Sequence, residues 1–128
     1  MSNLYETVRE CALSMGHKRF CAPLAMALVT GFDYMKCHDI LVDRGYRHSG
    51  TSTTKKEWVE VLPELGFKLT KVRVSAKTNV TLQGTLNPDM KFLVAYRRHI
   101  AAYVGGKIED WSEGKRNRIA FVTEVRPV

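Results

Sequence analysis

No uninterrupted apolar segment of this chain approaches the roughly eighteen residues of a membrane span, which excludes a helical membrane anchor within it. The opening MSNLYETVRE carries two glutamates where a signal peptide would need an apolar run, so a cytoplasmic setting is expected. Cysteine is scarce and odd in number, three in all, which argues for free thiols in a reducing compartment rather than a disulfide framework. Zinc-finger spacing, a glycine-rich phosphate loop and an RNA-binding aromatic signature are all lacking. Cys11, His17, Cys21, Cys37 and His38 fit no common zinc pattern, and neither a metal nor another cofactor is expected.

Acidic residues are also in deficit. Twenty Lys and Arg face thirteen Asp and Glu, giving a net charge of +7. Part of the excess is clustered at Arg97, Arg98, Lys115, Arg116 and Arg118, a surface for anions such as an acidic host protein or nucleic acid. The 128 residues, 45% of them hydrophobic, suffice for one domain spanning 1–128 with its own core.

Hydrophobic spacing predicts helices first and strands later. Leu4, Val8, Cys11 and Met15 recur at helical intervals after Asn3, with Glu6 completing a capping box and Gly16 as the stop. CAPLAMALVTG is apolar on every side, tolerates Pro23 in its first turn and stops at Gly31, the pattern of a central buried helix. Asp33 is expected to cap a third helix to about Arg44. Thr54 and Glu57 open a fourth that Pro63 and Gly66 close, with Trp58, Val61, Leu62 and Leu65 as its core stripe.

From Phe67 the period changes to two. FKLTKVRV, KFLVAYRR, HIAAYV, KIEDW and RIAFVTEV read as strands. TNVTLQGTL admits either a short helix or an extended connection, and Asn87, Pro88 and Asp89 mark a turn. The expected architecture is α+β, a helical N-terminal half packed on a C-terminal antiparallel sheet.

Two segments carry candidate chemistry. Cys21 opens the apolar helix, where unpaired amides, the positive dipole end and nearby Lys18 and Arg19 favour a thiolate. Cys11 and Cys37 occupy mid-helix positions and read as packing residues. In RRHIAAYVGGKIEDW, a Gly105-Gly106 turn sets Val104 opposite Lys107, and the same register makes His99 and Asp110 diagonal neighbours on one face. Glu109 projects to the other face, and a slip of one residue would exchange it for Asp110. Thiol, imidazole and carboxylate are the parts of nucleophilic acyl transfer.

With CAPLAMALVTG, FDYMKCHDIL and HIAAYVGGKIED in that order, the chain resembles the papain-like cysteine peptidase superfamily. Within it the chain is most similar to small single-domain phage and bacterial proteins related to the bacteriocin-processing transporter peptidases. The resemblance covers Cys21 to Asp110 and implies a papain-like fold. It also implies a thiol hydrolase acting on a peptide or protein substrate, with Cys21 as nucleophile, His99 as general base and Asp110 as orienting residue. In papain-like enzymes a Gln or similar donor a few residues before the cysteine helps hold the oxyanion. Between Cys11 and Phe20 there is neither Gln nor Asn, which leaves His17, Lys18, Arg19 and Ser14 as candidate donors. The alternative expectation is a catalytically weak or silent domain of the same fold that binds a host protein or nucleic acid through the arginine and lysine cluster.

Overall fold

The computed structural model describes residues 4–16, 21–44, 61–82, 84–96, 99–109 and 118–128. Its helical half comprises α1 (Leu4–Ser14), α2 (Cys21–Thr30), α3 (Tyr34–Asp43) and α4, of which residues 61–64 are described. The C-terminal half holds β1 (Phe67–Val72), the short α5 (Asn79–Leu82), β2 (Lys91–Ala95), β3 (Ile100–Val104), β4 (Lys107–Glu109) and β5 (Phe121–Pro127). The strands form one antiparallel sheet in the order β1-β5-β2-β3-β4. The α+β architecture expected from the sequence is therefore present.

Burial of α2 follows from its composition. Residues 22–29 are all buried, because α1 and α3 flank the helix and the sheet lies beneath it. Three of those residues are alanines, Ala22, Ala25 and Ala27, which allow close approach of the neighbouring backbones. The helix ends where Gly31 adopts φ +79°, a conformation that costs glycine little. Thr30 seals the end: its hydroxyl donates to the Met26 carbonyl at 2.6 Å and accepts from the Phe32 N–H at 3.1 Å.

Two local expectations are corrected. Met15 lies one residue past the end of α1 and is exposed, so the helix buries Ala12 and partly buries Tyr5, Val8 and Cys11 instead. Asp33 occupies the N-cap of α3 with extended backbone but makes no side-chain capping bond; only its carbonyl enters the helix, accepting from Cys37 N–H at 3.1 Å. The fourth helix closes over Pro63 and Gly66 as its sequence suggests, with Pro63 in the last helical turn and Gly66 N–H donating to the Pro63 carbonyl at 3.2 Å. Val61 and Leu62 are fully buried as core residues, whereas Thr54, Glu57 and Trp58 lie outside the described residues.

The sheet is covered on both faces. Leu93, Ile100, Ala102 and Val125 pack against the helices. Phe92, Val94, Tyr96, Ala101, Tyr103, Ile108 and Val122 form a second cluster with Leu82 of α5 and, partly buried, Leu86 and Met90. The segment between β1 and β2 thus resolves as a short helix followed by a turn, in which Asn87 Oδ1 accepts from Asp89 N–H at 2.9 Å. Among the described residues, no helix is long and apolar enough to cross a membrane.

Candidate functional site

Gly105 and Gly106 adopt φ of 65° and 85° and turn the chain as their sequence suggests. The hairpin register is Val104↔Lys107, Tyr103↔Ile108 and Ala102↔Glu109, so the pairing expected from the sequence holds as far as β4 is described. It also fixes the face of Glu109. Ala102 belongs to the helix-side cluster, and Glu109 opposite it turns the same way. The Glu109 carboxylate accepts a hydrogen bond from Tyr5 N–H at 3.3 Å through Oε2, and Lys107 Nζ stands 3.6 Å from Oε1. Glu109 is thus engaged by the first turn of α1.

His99 immediately precedes β3. Its carbonyl accepts from Tyr96 N–H at 2.8 Å, which carries the β2–β3 ladder one step past the Ala95↔Ile100 pair. The imidazole stacks on the Tyr96 ring with centroids 5.6 Å apart and planes 15° from parallel. His99 is half-buried and Tyr96 is buried in the second cluster. Stacking on a fixed phenol holds the ring plane, a contact that the YRRH sequence hints at only once the β2–β3 register is known.

Cys21 is the first residue of α2, as expected from the sequence. The far end of α2 is located by its neighbours. A pocket of about 410 Å³ is lined by Val29 and Thr30 together with Phe67, Lys91 and Arg126. Those sheet residues mark the start of β1, the start of β2 and the end of β5. The C-terminal end of α2 therefore sits where β2 begins. α2 packs mainly against β3. β3 starts directly after His99 and pairs with β4, which finishes at Glu109. Asp110 follows Glu109 directly in the chain and lies outside the described residues.

Of the oxyanion candidates, Ser14 is exposed and its hydroxyl donates to the Cys11 carbonyl at 2.7 Å, within α1. His17, Lys18 and Arg19 lie outside the described residues, as do Arg97, Arg98, Lys115 and Arg116; Arg118 is exposed. Two other thiols are described. Cys37 is free and fully buried, and burial pushes its thiol up to about 11, opposed by its hydrogen bond with Thr30 and by Lys36 and reinforced by Asp33. Cys11 is free and half-buried on α1.

No family model, curated protein or solved structure matches this chain.

Proposed function

We propose that the chain is a papain-like thiol hydrolase acting on a peptide or isopeptide bond, with Cys21 as nucleophile, His99 as general base and Asp110 as the carboxylate that orients the imidazole. The observation that supports it most is adjacency. A helix that starts with cysteine packs mainly against β3, which starts directly after His99 and pairs with β4, which finishes one residue before Asp110. Because the His99 ring shares its face with Tyr96, the reading requires the thiol to meet the imidazole around the end of β3.

The chemistry is acyl transfer in two stages. His99 takes the thiol proton, and the Cys21 thiolate attacks the carbonyl carbon. As the tetrahedral intermediate collapses, the imidazolium returns the proton to the departing amine, leaving a thioester on Cys21. Water deprotonated by His99 then hydrolyses the thioester, releasing the acid and restoring the thiol.

Iodoacetamide labelling of the whole chain tests this reading. Cys21 is expected to alkylate at least tenfold faster than Cys11 or Cys37 at neutral pH (about the effect of one pKa unit), and His99→Ala is expected to remove the advantage. Equal labelling of Cys21 and Cys11 would refute it. A basic binding module would instead show association that weakens steeply with salt and is indifferent to Cys21→Ser.

A further inference from the structure

Glu109 is a carboxylate with little contact with solvent, 8% exposed, on the shortest strand of the sheet. Such a group is costly to bury unless hydrogen-bonded or paired. Its partners come from two directions. Lys107 lies two residues away on the same strand, whereas Tyr5 N–H lies 104 residues away at the start of α1.

The first amides of a helix have no partner inside it and carry the positive end of the dipole, so an approaching carboxylate gains both a hydrogen bond and a favourable field. The bond therefore links the helical half to the sheet. On one side, α1 packs against α2, which begins at Cys21. On the other, Ala102↔Glu109 pairing joins the carboxylate to β3, which starts directly after His99.

We propose that Glu109 is a positioning residue for the site. By capping α1 from β4, its carboxylate holds the helix layer carrying the thiol in register with the hairpin carrying the imidazole. This role rests on the thiol-hydrolase reading, because it acts through the relative placement of Cys21 and His99. Displacements of about 1 Å between reacting groups are enough to cost up to a hundredfold in rate, so a single tie between the two layers has leverage.

The test uses three variants of the full chain and two measurements, the pH profile of Cys21 alkylation by iodoacetamide and hydrogen exchange of the α1 amides. Glu109→Gln keeps an acceptor oxygen at the same reach and is expected to stay within about twofold of wild type in both. Glu109→Ala is expected to expose the first-turn amides of α1 to exchange, to slow Cys21 alkylation about tenfold at neutral pH and to raise the apparent pKa of that thiol. Glu109→Asp keeps the charge but withdraws the acceptor by one methylene, is the milder variant should the alanine chain fail to fold, and is expected to slow alkylation severalfold.

Loss of α1 protection with an unchanged Cys21 profile would overturn the positioning role. So would the reversed order, with Asp like wild type and Gln impaired. If wild-type Cys21 labels no faster than Cys11, the hydrolase reading fails by itself and the positioning role falls with it, while the exchange measurement still reports whether the Glu109 tie exists.

Discussion

The two faces of the sheet are built from different materials. On the helix side, Ala102 and Leu93 meet a helix whose own contacts include Ala22 and Ala25, so small residues let two regular elements approach closely. On the other side, among the described residues, a four-residue helix and a turn supply Leu82, Leu86 and Met90, Val74, Ala76 and Ile119 pack beside them, and the sheet itself provides the bulk through Phe92, Tyr96 and Tyr103. A rigid layer is packed by fit, whereas a short connecting segment is packed by large side chains reaching toward it. The two charged or titratable groups of greatest interest divide in the same way, with Glu109 turned to the rigid layer and His99 stacked in the aromatic one.

If that contrast is right, equal truncations should cost unequal amounts. Leu93→Ala, beneath α2, is expected to cost about 4 kcal/mol in urea unfolding, because two regular elements cannot collapse into the void. Leu82→Ala is expected to cost about 2 kcal/mol, since the four-residue α5 can settle inward. Equal losses would remove the distinction between the faces.

The dryness of the helix layer has its own signature in pH. With the folded Cys37 thiol at about 11 against an ordinary 9.0, the folded chain holds this proton more tightly than the unfolded chain. The group leaves stability unchanged below pH 9.0 and lowers it progressively between 9.0 and about 11. The stability gap between wild type and Cys37→Ala should therefore narrow over that window by up to about 3 kcal/mol. A constant gap would mean that water reaches the thiol.

In the aromatic layer, Tyr103→Phe removes the hydroxyl that accepts from Gly84 N–H at 2.9 Å, and is expected to cost about 1 kcal/mol with faster exchange at that amide. The smallest effect is expected at the exposed Arg44–Glu64 pair, where Glu64→Gln should change stability by less than about 0.5 kcal/mol.

Much of this arrangement was legible beforehand. The apolar surround of α2, its stop at Gly31 and the Gly105-Gly106 register depend on residues within one or two turns of each other, and short-range sterics decide them. Met15 was misleading because helical spacing continues past the residue where the helix ends, and periodicity does not see where its neighbours stop. Asp33 has the right residue type at the right place, yet its side chain makes no capping bond.

What the sequence determined by itself was local: which segments are helix or strand, which faces of them are apolar, and how one glycine pair sets a register. Tertiary structure alone decided the strand order β1-β5-β2-β3-β4, the seating of the C-terminal end of α2 where β2 begins, and the meeting of Glu109 with Tyr5. The physical reason is chain separation. Turn chemistry and periodicity act over a few residues, whereas a carboxylate and an amide 104 residues apart are brought together only when both layers have packed and every other buried group has found its place.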